Sequence, residues 1–299
     1  MKYSILMSVY REDSPEYFKV ALDSIYQQQT KKPDEIVIVE DGPVTEELTG
    51  IMQAFIGEVE KDQDETKEEK IKYNIQSELE IVETANCTIK IVKLKKNAGL
   101  GAALRAGAVN CTGDYIVRMD SDDISEPNRL EIIDAYLTKH PEIDVLGTDI
   151  GEFEDDPQKI VRYRVCPSDH DDIVKMSRKR NPMNHVSCVI KRRSLEKVGG
   201  YKPLSLLEDY FLWLRMIAHG MRLTNINKAL VAVRIGNGFE QRRRKVDRVK
   251  NWKVLQKYML KHKMINRFQA AMNMIYIRLF VYSPAALKKL AYSKVLRRK

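Results

Sequence analysis

Cysteine is scarce: Cys87, Cys111, Cys166 and Cys188 are the only four in 299 residues. They are too few and too scattered for a disulfide framework, and no C-x-x-C pair offers a zinc or redox site. This usage fits a reducing, cytosolic compartment. No secretory leader is expected either. Met1 runs almost directly into the apolar stretch 3–9, which is shorter than a signal core and has no cleavage site after it. Long apolar runs are absent as well: residues 270–282 carry Arg278 and fall short of the roughly 18 residues a membrane span needs. No internal repeat, low-complexity linker or recognised nucleic-acid motif is found, which excludes solenoids and sequence-reading domains.

What the chain does have is core and charge. Apolar residues make up 43% and charged residues 31%, enough for a full α/β domain with an extension. The formal charge of +9 divides unevenly. Residues 237–299 hold 18 Lys/Arg against Glu240 and Asp247, so this tail carries +16 and residues 1–236 carry −7. A basic tail on an acidic body points to polyanion contact through the tail alone. The tail also has helical periodicity. Val246, Val249, Trp252, Leu255 and Met259 recur every three or four residues among lysines and arginines, and Met272, Ile275 and Leu279 form a second stripe. Such amphipathic helices fit either an anionic membrane surface or packing on the body.

Residues 1–150 alternate short apolar runs with amphipathic stretches. Strands are expected at 3–9, 35–39, 88–94 and 115–119, and helices at 15–28, 45–56 and 99–109. The expected fold is α/β, with a mostly parallel central sheet covered on both faces. Ligands of such sheets bind beyond the carboxyl ends of the strands. Residues 57–87 are densely charged and are expected to form an exposed helical excursion.

Asp41 follows the second strand, and Asp120-Ser121-Asp122-Asp123 follows the fourth. Asp120 and Asp122, two apart in an extended segment, face the same way. Clustered hard oxygens attract Mg²⁺ or Mn²⁺ shared with a substrate phosphate. Helix capping by Asp122 or Asp123 is the competing reading, but a cap needs only one carboxylate. Glu208-Asp209 opens a helical apolar pattern, where carboxylates also favour the helix dipole. The glycines at 99 and 101 read as a tight strand-to-helix turn, since Gly107 comes too late for a dinucleotide fingerprint.

Taken in order, Ser-Val-Tyr at 8–10, Val-Glu-Asp-Gly at 39–42, Lys-Asn-Ala-Gly-Leu-Gly at 96–101 and Met-Asp-Ser-Asp-Asp at 119–123 resemble the family 2 glycosyltransferases. Asn-Pro-Met-Asn-His at 181–185, Gly-Gly-Tyr at 199–201 and Leu-Glu-Asp-Tyr-Phe-Leu-Trp at 207–213 extend the likeness over roughly residues 1–235. The spacing is similar to the bacterial capsule and exopolysaccharide branch, including amylovoran-type enzymes. The resemblance implies a GT-A, Rossmann-like nucleotide-sugar-binding fold and inverting transfer from a UDP-sugar. It implies a donor nucleotide pocket of Ser8, Tyr10, Asp41, Asn97 and Asp120, with Asp41 on the uracil and Asp120 on the ribose. Asp122 would hold Mn²⁺ or Mg²⁺, and Asp209 would be the general base. Glu208 would lie near the acceptor or diphosphate. Read from the residues alone, a lone His185 is either structural or part of that region. Arg242, Arg243 and Arg244 either approach the donor diphosphate or an anionic lipid carrier, or form a solvated basic face. Glu40 and Pro43 depart from the Asp and Ser often found at those positions.

Gln241-Arg242-Arg243-Arg244-Lys245 nearly reproduces the Q-x-x-R-W signature of processive synthases, with Lys245 in place of Trp. The expected protein is a catalytic domain over 1–236 with a basic helical extension over 237–299. It would sit on the cytoplasmic face of the plasma membrane and transfer a hexose or N-acetylhexosamine to a glycan or lipid-linked oligosaccharide for a surface polysaccharide. Nucleic acid is not an expected partner. Two alternatives are a sugar-nucleotide nucleotidyltransferase, for which residues 8–10 lack the glycine-rich loop, and a non-catalytic scaffold of the same fold that binds membrane or nucleic acid through its basic tail.

Overall fold

The structure, a computed structural model, describes residues 1–61, 66–74, 77–84, 86–235 and 247–283. The chain opens with β1 (Tyr3–Val9), α1 (Pro15–Ile25), β2 (Glu35–Glu40) and α2 (Glu46–Lys61). A hairpin of β3 (Thr66–Asn74) and β4 (Ser77–Thr84) leads to β5 (Thr88–Leu94), α3 (Leu100–Ala108) and β6 (Tyr115–Arg118). Next come β7 (Ile124–Ser125), α4 (Arg129–Lys139), β8 (Val145–Phe153), β9 (Arg162–Arg164) and α5 (His170–Ser177). After β10 (Val189–Lys191) follow α6 (Arg192–Lys197), α7 (Glu208–Ala218) and β11 (Leu223–Arg234). Two helices, α8 (Asp247–Lys261) and α9 (Arg267–Tyr282), close the described chain.

The four apolar runs form the centre of one sheet. β5, β2, β1 and β6 lie side by side and parallel, with Ile5 opposite both Ile36 and Val117. β10 joins β6 antiparallel and turns the sheet, while β8 and β11 run parallel to each other beyond it. The sheet is therefore mixed, with a parallel centre and antiparallel additions.

Period-two alternation decides which helix each strand residue meets. Ile5, Met7, Ile36 and Ile38 pack with Phe18 and Leu22 of α1, Met52 and Phe55 of α2, and Ile133 of α4. Leu6, Val37, Val39 and Ile116 point the other way, to Leu104 of α3 and Trp213 and Met216 of α7. A one-residue slip would exchange the two faces, and each buried aliphatic side chain contributes roughly 1.5–3 kcal/mol, so the register is firmly held. All four central strands therefore end at one edge, where Tyr10, Asp41 and Asp120 follow.

The charged segment departs from its expected helix. Part of it extends α2 to Lys61, and the rest forms the β3–β4 hairpin, with β4 antiparallel to β5. Leu79 and Val82 of β4 are buried, while Glu78 and Glu83 are exposed. Charge on an edge hairpin keeps it from pairing with other chains, which explains a composition that looks like a solvated helix.

The tail helices dock on the body. Trp252, Leu255 and Met259 of α8 are buried with Leu207, Tyr210 and Leu214, which flank or belong to α7. Ala270 and Ile277 of α9 complete this third core, and an Asn266–Gln269 capping box starts the helix. The protein itself thus covers Trp252, Leu255 and Met259 of the stripe, while Val246 lies outside the described residues. On α9, Phe268, Ile275, Tyr276, Leu279 and Tyr282 remain exposed. Among the described residues no helix is long and apolar enough to cross a membrane.

Candidate active site

The first wall of the site is the junction of β2 with the loop before α3. Asp41 donates its N–H to the Val9 carbonyl at 2.8 Å, joining the ends of β1 and β2. Its carboxylate accepts from the Ala98 N–H at 2.6 Å and the Gly99 N–H at 2.9 Å. Gly42 adopts φ +84°, and a Cβ there would lie 2.5 Å from the Asn97 nitrogen. Glycine is required at 42 on both counts, and this contact sets Asn97 exposed on the rim. Ser8 and Tyr10 lie partly buried at the end of β1 beside it.

The aspartates after β6 form the floor. Arg118 is buried and ion-paired through Nη2 with Asp120, whose side chain is 38% exposed. Burial alone would lower the Arg118 pKa, but Asp120, Tyr201 and Asp123 together outweigh it and hold the guanidinium charged. Its Nε and Nη1 are buried without a hydrogen-bond partner. Asp13 accepts from the Ser121 hydroxyl at 2.8 Å and the Tyr10 N–H at 3.1 Å. Burial, reinforced by the charges of Asp122 and Asp120, pushes Asp13 up to about 6. Asp123 is buried, accepts from the Arg234 N–H at 2.8 Å, and is raised well above the carboxylate range by burial and by Asp122 and Asp120. Asp123 is therefore a structural link to β11, while Asp120 and Asp122 are partly open to the cleft. Below them, Arg129 of α4 donates through Nη2 to the Arg118 carbonyl at 2.9 Å, fixing the backbone that presents them.

The facing wall is the start of α7. Asn181 donates through Nδ2 to Asp209 Oδ2 at 2.5 Å, and Asp209 Oδ1 accepts the Tyr210 N–H at 2.6 Å. Glu208 is buried, and burial together with the Asp209 charge pushes it up to about 7. A Cβ on Gly101 would lie 3.1 Å from the Glu208 Cβ. Gly101 therefore lets α7 approach α3, a role beyond the turn expected from the sequence. Leu206, two residues before Glu208, sits at φ +67°, the left-handed region that costs a branched side chain about 1–2 kcal/mol. His185 bonds the Tyr201 hydroxyl through Nε2 at 2.9 Å and meets Trp213 edge-on. Burial, aided by the Arg118 charge, holds His185 well below its ordinary pKa, so its imidazole is neutral. Arg244 and the rest of the 241–245 motif lie outside the described residues.

Residues 74–199 match the family described as Glycosyl transferase family 2. The chain is 33% identical over 298 residues to the Escherichia coli UDP-Gal:alpha-D-GlcNAc-diphosphoundecaprenol beta-1,3-galactosyltransferase, covering 99% of this chain and 97% of that one. This chain is a family 2 glycosyltransferase. The transferase is also 33% identical over 243 residues to the amylovoran biosynthesis glycosyltransferase AmsE of Erwinia amylovora, covering 81% of this chain and 79% of that one. Its fold is that of S. aureus TarS 1–349, solved in complex with UDP-GlcNAc, with a TM-score of 0.64 at 16% identity over 99% of this chain and 76% of that one. The fold is thus GT-A, as the motifs implied, and the chain is an enzyme.

Within the transferase, Asp13, Arg118, Asn181 and Tyr201 join the sequence-derived set. Asn-Pro-Met-Asn-His at 181–185 now divides by role: Asn181 holds Asp209, Asn184 donates to the Thr148 and Arg164 carbonyls, and His185 meets Tyr201. The alternation of strand 115–118 gave a signal for Arg118, a charge between buried Val117 and Met119. Asn181 and Tyr201 stand in quoted motifs, but nothing local gave their roles, since their partners lie 28 and 16 residues away.

Proposed function

We propose that this transferase moves a hexose or N-acetylhexosamine from a UDP-sugar to a lipid-linked glycan acceptor, with inversion at the anomeric carbon. The observation that carries the reading is the pairing of two carboxylate walls. Asp41, Asp120 and Asp122 follow strands that end at one edge, and Asp209 starts a helix packed against the same α3 that begins there. The acceptors of the Escherichia coli relative and the UDP-sugar of the S. aureus structure support the same classes here.

In this reading Ser8, Tyr10, Asp41, Asn97 and Asp120 hold the nucleotide, with Asp41 toward the base and Asp120 toward the ribose. Asp209 accepts the proton of the acceptor hydroxyl as that oxygen forms its bond to the anomeric carbon, and the sugar–diphosphate bond breaks on the opposite side. Asn181 orients the carboxylate for this step. Glu208, held up near 7, keeps a second negative charge away from Asp209 below neutral pH.

Burial is the main cause of the raised Asp13, and the repulsion that Asp122 and Asp120 add to it is a setting a hard cation relieves. Among the described residues no three acidic, His or Cys side chains converge to hold an ion by themselves. Asp122 would therefore hold Mn²⁺ or Mg²⁺ together with donor phosphate oxygens. When bound, the ion offsets charge growing on the leaving diphosphate.

The division into a 1–236 catalytic domain and a 237–299 extension belongs to the same proposal, as does attachment to the anionic inner face of the plasma membrane. Attachment falls to α9, whose Phe268, Tyr276, Leu279 and Tyr282 are exposed, because the α8 stripe is buried. The test is a donor panel of UDP-, GDP- and dTDP-sugars with Mn²⁺ or Mg²⁺, read as binding and slow hydrolysis. One metal-dependent UDP-sugar hit that Asp122→Ala loses would support the reading. Silence in both binding and hydrolysis would overturn it.

A further inference from the structure

A groove of about 830 Å³ lies between the end of α5 and α9, outside the donor pocket. One wall carries Lys175, Arg178, Lys179 and Arg180, and among the described residues no acidic side chain lines the groove. Lys175 pairs with Asp172 at 2.8 Å, and the three basic residues after α5 continue the wall. Arg178 Nε is buried without a hydrogen-bond partner. The other wall is apolar, with Phe268 73% and Tyr276 62% exposed, and with Met272 and Phe280 between and beyond them. At its floor, Asn273 donates through Nδ2 to the Arg178 carbonyl at 2.7 Å and to Gln256 Oε1 at 3.0 Å. These two bonds tie both tail helices to the basic loop.

The basic wall leads straight into the active site. Arg180 is followed by Asn181, whose side chain holds Asp209. From Arg178 to Asn181 the chain spans at most roughly 11 Å.

We infer that this groove binds the polyprenyl diphosphate of the acceptor, with the isoprenoid on the α9 wall and the diphosphate on Arg178, Lys179 and Arg180. The inference rests on the lipid-linked acceptor proposed above and adds where that lipid sits. An acid-free cationic wall suits two linked phosphates, and an uncovered aromatic and aliphatic wall suits an unsaturated hydrocarbon chain. A sugar carried on that diphosphate would lie beside Asn181 and Asp209, where its hydroxyl must be deprotonated. The same arrangement explains why the tail helices dock on α7 rather than extend away.

The test is titration of the full chain with farnesyl diphosphate, with inorganic diphosphate and phosphatidylglycerol vesicles as separate probes. Lys179→Glu and Tyr276→Ser alter exposed side chains and leave the fold intact. Each should weaken farnesyl diphosphate binding about tenfold, a loss of roughly 1.4 kcal/mol, while UDP binding is unchanged. Tyr276→Ser should not alter inorganic diphosphate binding. Unchanged farnesyl diphosphate binding in both variants would overturn the inference. If the variants weaken vesicle binding while farnesyl diphosphate binding is unchanged, the groove belongs only to the membrane-attachment surface of α9 and the inference is equally overturned. Failure of the transfer reading is seen separately, as absent UDP-sugar binding in a chain that still titrates with farnesyl diphosphate.

Discussion

Asn181 Nδ2 lies 2.5 Å from Asp209 Oδ2, so a loop residue after α5 sets the direction of a carboxylate in the first turn of α7. The other carboxylate oxygen is held by the Tyr210 N–H at 2.6 Å, so Asn181 and this backbone group together orient the carboxylate plane. Asn181→Ala should lower kcat roughly 10- to 100-fold, because a base misplaced by about an ångström loses that much. Donor KM should stay unchanged. Equal changes in kcat and donor KM would show that Asn181 shapes the donor pocket instead.

Glu208 should place an ionisation near pH 7 in the transfer rate, because burial and Asp209 push it up to about 7. Glu208→Gln should remove that inflection; its persistence would assign it to another group. The sign for stability follows from the same shift. A carboxyl near 4.5 unfolded and near 7 folded takes up a proton on folding, so its contribution is present at low pH and is lost as pH rises toward 7. Melting curves at pH 5 and pH 8 should show the wild type losing more stability than Glu208→Gln, by up to about 3 kcal/mol.

Gly42→Ala should damage the donor wall. The new Cβ would fall 2.5 Å from the Asn97 nitrogen at a φ of +84°. The peptide at 97 must move, and with it the Ala98 and Gly99 N–H groups on Asp41. Stability should fall by roughly 1–3 kcal/mol and UDP affinity with it, both measurable by thermal shift with and without UDP. An unchanged UDP-induced shift would remove Asp41 and its loop from the pocket.

Leu255→Ala tests whether the tail helices belong to the folded body. Leu255 is fully buried between α8 and α7. The substitution should cost about 2–5 kcal/mol in chemical denaturation. A cost near zero would mean that the helices detach from the body in solution.

Much of this was legible in the sequence. The strands at 3–9, 35–40, 88–94 and 115–118 are continuous apolar or β-branched runs, and carboxylates directly after them fall where a parallel sheet presents ligands. The β3–β4 hairpin was misread because glutamates and lysines dominate it, although Ser-Glu-Leu-Glu-Ile at 77–81 does alternate with period two. The α8 stripe was visible, but its partner was not, since a buried face and a lipid-facing one have the same periodicity. Asp13 stands in the loop between β1 and α1 with no motif around it to mark it. Its proximity to Asp120 and Asp122 is a product of sheet closure, as is the meeting of His185 with Tyr201.

The role of Asp209 is tested most directly by Asp209→Asn, with sugar transfer and UDP binding measured on the same preparation. Transfer should fall roughly 100- to 10,000-fold, the range lost with a general base, while UDP affinity stays within a few fold. Near-normal turnover in the variant would contradict the account, because the hydroxyl proton would then leave by another group.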